Sequence, residues 1–204
     1  MTDLPQDVQQ MLKQASNTLA GPIFRCQVFD DEETNEFVEL WAPKIHSFVQ
    51  GALGPYGTQP KTVILPLTDA DHIAGANASF NILTGQVRLG THLSGQFGVI
   101  LEKVTHEFTH GSLSRFPEGD EFYEEGFVDY AVWLMAHAPC WGAFRQAMMD
   151  AAADNIRLRR ERALAGGPDY DKKRWAGGLY ASLAYGPHHI SRLKLKKLEE
   201  DFTW

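Results

Sequence analysis

The stretch His106-Glu107-Phe108-Thr109-His110 constrains this chain more than any other. Val99, Ile100, Val104 and Phe108 recur around it with helical period, which predicts a helix opening at Ser94 or Gly95 and ending near Ser114. On that helix His106 and His110 stand one turn apart on one face. This spacing lets one zinc ion take a nitrogen from each imidazole. Glu107 projects to the side, where a carboxylate can take a proton from a zinc-bound water. Two histidines leave the ion short of a protein ligand, so another part of the chain has to supply one.

The chain ahead of the motif mixes helices with short strands, and the chain behind it is helical. Val8, Met11, Leu12, Ala15 and Leu19 mark one face of a helix over 6–20, with Pro5 near its first turn. Ile23 to Phe29 reads as a strand. Glu32 to Val49 reads as a helix that Pro43 should kink or split. A Gly/Pro-rich loop spans Gly51 to Pro60, and Thr62 to Leu65 is a buried-strand run. Phe80 to Leu83 and Gln86 to Leu89 flank Thr84-Gly85 as a β-hairpin. Helices are predicted over 121–137, over 141–164 with a stop at Gly166-Gly167-Pro168, and over 171–184 and 188–201. The pattern is α+β.

The length of 204 residues suits a single domain, and 44% apolar against 22% charged residues is ordinary for a globular protein. Cys26 and Cys140 lie far apart in apolar surroundings, which reads as two core residues and a reducing compartment rather than a disulfide framework. The start lacks a charged-then-apolar leader, and no apolar run reaches membrane-spanning length, so the expected location is cytoplasmic, with no membrane partner. The net charge of −7 is uneven: residues 1–130 hold 18 Asp and Glu against 7 Lys and Arg, and residues 131–204 hold 8 against 12. The basic stretches Arg157-Leu158-Arg159-Arg160 and Lys194-Leu195-Lys196-Lys197 read as solvated helix faces. An acidic chain without basic–aromatic interleaving argues against a nucleic-acid partner.

The acidic run from Glu118 to Glu125 would pass for a solvated turn, but Gly126-Phe127-Val128-Asp129-Tyr130-Ala131-Val132-Trp133 follows it and reads as a buried helix. Asp129 lies four residues after Glu125, on the same helical face. An oxyanion donor is also needed for hydrolysis, and Tyr180, Tyr185, His188 and His189 are the candidates.

His-Glu-x-x-His followed by Glu125-Gly126-Phe127-Val128-Asp129-Tyr130 resembles the gluzincin zinc metallopeptidases, the small peptidase-MA-like members of the thermolysin-like clan in particular, over roughly residues 60–190. The resemblance implies a zincin-like fold, with a small mixed sheet bearing an antiparallel edge strand ahead of a helical C-terminal half. It implies one catalytic core over 61–190 and leaves residues 1–60 as a segment of unassigned role, a lid or propeptide-like cover among the options. Glu125 would be the third zinc ligand, with Glu124 the rival. Asp129 would accept a hydrogen bond from His106 and fix its tautomer. Tyr185, sixty residues past Glu125, would steady the oxyanion, with Tyr180 second. Gln86 to Gly90 would be the edge strand that pairs with extended substrate. Gly75-Ala76-Asn77-Ala78 stands where clan aminopeptidases carry Gly-x-Met-Glu-Asn, and the absent Met-Glu removes the glutamate that grips a free amine.

The activity implied is hydrolysis of a peptide or protein substrate with one zinc per chain and Glu107 as general base. Three other readings remain open at this stage: a zincin fold that binds without cleaving, a zinc hydrolase of a non-peptide amide or ester, and a non-haem iron site built from the same two histidines and carboxylate.

Overall fold

A computed structural model describes residues 21–73, 76–114 and 121–184, together with Gln6, Gln9, Gln10, Lys13 and Gln14, which are helical. The helix expected over 188–201 lies outside the described residues. Strand β1 (Arg25–Cys26) leads into helix α1 (Glu32–Leu53), strand β2 (Val63–Pro66) and a short helix α2 (Asp69–Ile73). Strands β3 (Ala78–Asn81) and β4 (Gln86–Leu89) form a hairpin. Helices α3 (Phe97–Leu113), α4 (Glu121–Met135), α5 (Arg145–Leu164) and α6 (Asp169–Ala184) follow. The protein is α+β, mostly helical, with a small mixed sheet. Among the described residues no helix is long and apolar enough to cross a membrane.

The sheet runs β1-β2-β4-β3, with β2 parallel to β1 and to β4, and β3 antiparallel to β4. The expected edge role of Gln86 to Gly90 is therefore overturned. Leu65 and Pro66 pair with Arg88 and Leu89 on one side of β4, and Ala78 to Asn81 pair with it on the other. β4 is thus bonded on both sides, and among the described residues the antiparallel edge of the sheet is β3. The burial of Val87 and Leu89, both fully inaccessible, follows from that central place.

Local chemistry explains where the other boundaries moved. The hairpin strand begins and ends two residues earlier than the expected Phe80 to Leu83, because Asn81 Oδ1 accepts from the amides of Leu83 and Thr84 at 3.0 Å and turns the chain there. Gly85, at φ +72°, completes the turn. The expected strand over 23–29 shrinks to two residues, because Asn35 Oδ1 instead takes the amides of Val28 and Phe29. Helix α1 runs four residues beyond Val49, unbroken at Pro43, and stops at Gly54 with φ +92°. The helix expected from Trp141 starts only at Arg145, after a 3₁₀ turn over Pro139–Phe144 in which Gly142 leaves helical geometry.

Helix α3 is the centre of the molecule, buried almost throughout from Gly98 to Leu113. Its buried threonines are satisfied internally, Thr105 and Thr109 donating to the carbonyls one turn back at 2.7 Å. Both of its ends are tied to distant chain. Asp31, the N-cap of α1, accepts from the Thr34 amide at 2.7 Å and from the Ser94 hydroxyl, and the Gly95 amide donates to Thr34 Oγ1. At the other end the Gly111 carbonyl accepts from the amides of Gly57 and Thr58 at 3.0 and 3.1 Å. Phe108 on the inner face packs against Phe24 at 5.3 Å between ring centres. A side chain of that size, fully buried, stabilises by about 1.5–3 kcal/mol. The scaffold thus fixes the axial position and rotation of the helix that carries the two histidines.

Candidate metal centre

His106 and His110 turn their Nε2 atoms toward each other, 3.2 Å apart. Glu125, from the first half of α4, closes the triangle: its Oε1 lies 3.0 Å from His110 Nε2 and its Oε2 3.3 Å from His106 Nε2. A tetrahedral ion with bonds of about 2.0–2.1 Å has ligand–ligand edges of about 3.3–3.4 Å. The three separations, two of them to different oxygens of the Glu125 carboxylate, are close to that value, and the three side chains form a His/Glu cluster that could hold a metal ion.

Each histidine has a carboxylate on its outer nitrogen. Glu124 Oε1 lies 3.0 Å from His110 Nδ1, so of the two glutamates it is Glu125 that faces the Nε2 atoms and Glu124 that sits on the outer nitrogen of His110. Asp129 Oδ1 is the nearest acid to His106 Nδ1, at 3.4 Å, but His106 Nδ1 makes no hydrogen bond. Asp129 spends both oxygens on Arg174 instead, at 2.6 and 2.7 Å. The expected hydrogen bond is therefore replaced by a charge contact, with Asp129 held by the arginine.

Arg174 is the residue that sequence reasoning missed. It is buried, it forks Asp129, and its Nη1 lies 2.7 Å from Glu125 Oε2. That contact leaves Glu125 Oε1 as the oxygen without an arginine on it. In Lys172-Lys173-Arg174 the residue looks like one more surface cation. The available signal was Tyr170, Arg174 and Gly178 at four-residue spacing, one face of α6.

Gly126 shows why the third-ligand segment reads Glu-Gly. A Cβ there would stand 1.9 Å from the Arg174 carbonyl oxygen and 2.6 Å from the Gly178 nitrogen. Helices α4 and α6 thus cross backbone on backbone at Gly126, and that crossing brings Arg174 to the two acids.

The electrostatics follow from placing acids and bases together away from water. Burial opposes the charged form of His106, but Asp129 and Glu125 outweigh it and lift its pKa to about 9. His110 is raised well above the usual range in the same way, with Glu125 as the largest opposing influence. Burial pushes Glu107 upward, partly offset by the charges of His106 and His110. Glu125 is held well below the usual carboxylate range against its burial, chiefly by His110, and Asp129 is lowered against its burial by Arg174. Glu107 itself is 5% exposed, next to the two histidines and without an ion-pair partner of its own among the described residues.

Tyr185, His188 and His189 lie outside the described residues, as does the side chain of Tyr180 on α6. The 188–201 basic stretch is outside them too. The other basic stretch departs from a purely solvated face: Arg157 is exposed and paired with Asp154 and Glu161, but Arg159 is largely buried and bonds Asp171 at 2.9 Å. Cys26 and Cys140 are both free, and burial pushes both thiols up to about 12.

Comparison with known proteins returns no match, either among family models, curated proteins or solved structures.

Proposed function

We propose that this chain is a zinc-dependent metallopeptidase of the gluzincin type, with a zincin-like core. The observation that carries the reading is the cluster of His106, His110 and Glu125: the two Nε2 atoms lie 3.2 Å apart, and the two oxygens of the one carboxylate face them at 3.0 and 3.3 Å. Separations of this size suit a tetrahedral zinc site, and three protein ligands would leave a fourth position for water or substrate. A zinc ion held there supplies a Lewis acid and makes a coordinated water acidic enough to react near neutral pH.

The chain's own residues do the rest. Glu107, buried and beside the first ligand, accepts the proton of the attacking water and later delivers it to the leaving amide nitrogen. Its upward shift brings its proton affinity closer to the working pH, which suits a group that takes and returns a proton. Glu124 holds His110 in the tautomer that presents Nε2, and Asp129, fixed by Arg174, does the electrostatic part of that work for His106. Tyr185 is assigned to the oxyanion by resemblance alone. The edge of β3 is the backbone row available to extended substrate.

A second reading, a metal-binding fold that recognises peptides without cleaving them, draws on one observation. Arg174 Nη1 already neutralises Glu125 Oε2 at 2.7 Å, so the acids can be compensated without an ion.

Metal analysis of the purified chain separates these readings from a site that holds nothing. About one zinc per chain is expected, falling below about a tenth in His106→Ala or Glu125→Ala. Less than about a tenth in the wild type sinks every metal reading. A peptide-library digest with Glu107→Gln as control then decides between enzyme and module. Cleavage by the wild type and its loss in the variant support the peptidase, and equal inactivity of a zinc-loaded pair leaves the module.

A further inference from the structure

Beside the Asp129–Arg174 pair lies a cavity. It has a volume of about 570 Å³ and is framed by α4, α5 and α6. Tyr130, Trp133, Ile156 and Trp175 give it apolar walls, and none of His106, His110 or Glu125 lines it. Pockets of this size and apolar character fit small organic ligands.

The charged groups around it are unusual for an apolar pocket. Four arginines line it, Arg157, Arg159, Arg160 and Arg174, against the single acid Asp129. Most of that charge is already answered. Arg174 and Asp129 fork each other, and Arg157 is shared between Asp154 and Glu161, all three of them largely exposed. Arg159 reaches Asp171 through Nη1 only, and its Nε is buried with no hydrogen-bond partner. Arg160 is exposed, and among the described residues no acid pairs with it. An unsatisfied buried donor and an unanswered cation on the wall of one aromatic cavity call for the same missing group, an anionic acceptor.

We propose that this cavity is a binding site for a small organic carboxylate with an aromatic body. The body lies against Tyr130, Trp133, Ile156 and Trp175, and the carboxylate is taken by Arg160 and Arg159. Arginine suits this role because its planar fork matches a carboxylate and stacks on rings without strong hydration. A single anionic head suits the site, since Arg160 is the one lining arginine that the described acids leave unpaired. The site backs onto the metal centre through Asp129 and Arg174 but contains none of His106, His110 and Glu125, and it does not depend on the chain being a peptidase.

Isothermal titration of the full chain with 1-naphthoate tests this. Saturable binding at about one ligand per chain is expected, with 1-naphthalenemethanol, the same body without charge, at least about tenfold weaker. Inorganic phosphate, a charge without a body, should not compete. Arg160→Gln, an exposed substitution, should weaken naphthoate by about tenfold or more, and Ile156→Trp should fill the cavity and block it. Arg162→Gln, an exposed arginine on the same helix that does not line the cavity, should bind as the wild type. No saturable naphthoate binding, equal affinity for the alcohol, or wild-type affinity in both Arg160→Gln and Ile156→Trp would overturn the proposal.

Discussion

His46 and His106 are buried to nearly the same degree, 7% and 4% exposed, and their environments drive them in opposite directions. His46 sits among rings: Tyr56 stacks on it at 4.5 Å, and Phe24 and Phe108 flank it at 6.0 Å. Its Nε2 donates to Gln59 Oε1 at 3.2 Å, and its Nδ1 is buried without a partner. Burial lowers its pKa, and Gln59, being neutral, offsets that only in part. His106 has lost as much water, yet the carboxylates of Asp129 and Glu125 raise it to about 9. Loss of solvent therefore does not decide the charge of a histidine; the charge of the group on its other nitrogen does. The first environment packs an imidazole as one more aromatic ring, and the second prepares one for a cation, whether proton or metal.

The largest test of that contrast removes the acid. Asp129→Asn leaves the buried Arg174 guanidinium with only Glu125 to answer it, and breaking a buried charge pair from one side costs about 3–5 kcal/mol. Urea unfolding of the metal-free chain measures this. A loss below about 1 kcal/mol would mean that Arg174 is solvated and that Asp129 is not what holds it.

Glu124→Gln is a smaller change at the same centre. It keeps shape and polarity near His110 Nδ1 but removes the charge, so zinc affinity should fall by about 10- to 100-fold with unfolding stability nearly unchanged. Competition against a chelator reads the affinity. An unchanged value would return Glu124 to the helix surface.

Titration sharpens the contrast further. A histidine whose folded pKa is raised contributes stability that is complete below its unfolded value of about 6.5 and is lost as pH rises through the folded value. For His106 in the metal-free chain that loss runs from about pH 6.5 through about 9. Bound zinc would replace those protons, so the zinc-loaded chain should keep its melting temperature over the same range while the metal-free chain loses several degrees. Parallel melting curves with and without metal would contradict the assignment. His46, with a lowered pKa, works the other way: its stabilisation is complete above about 6.5 and falls as pH drops.

The smallest expected effect is His46→Phe. The position is already lined by aromatic rings and loses one weak hydrogen bond, so stability should change by less than about 1.5 kcal/mol, with zinc content untouched. A loss of zinc in this variant would show that His46 serves the metal centre after all.

Much of the site was legible because its information is local. Four-residue spacing puts His106 and His110 on one helical face wherever that helix goes, and Asp129 follows Glu125 by the same rule. The Glu-Gly step of the third-ligand segment was legible as a resemblance, but its cause, the backbone of α6 against Gly126, was not. Glu124 and Glu125 are neighbours of like charge, and only the rotation of α4 against α3 sends one to Nδ1 and the other to Nε2. The edge strand was misread for a similar reason. Gln86 to Leu89 has the composition of any half-buried strand, and pairing on both sides depends on β2, some twenty residues upstream in the chain.

The sequence by itself determined most of the elements and the kind of chemistry: helical period, the two histidines, the acids, and the glycines that end helices. Those depend on contacts between residues a few positions apart, which a linear chain displays directly. Tertiary structure alone decided that Arg174, forty-five positions from Asp129 in the chain, is the counter-ion to Asp129 and Glu125, and that Arg159 and Arg160 line an aromatic cavity. Charge pairing in a buried setting depends on which helices meet and at what rotation, and that is settled by packing across the whole core rather than by any local run of residues.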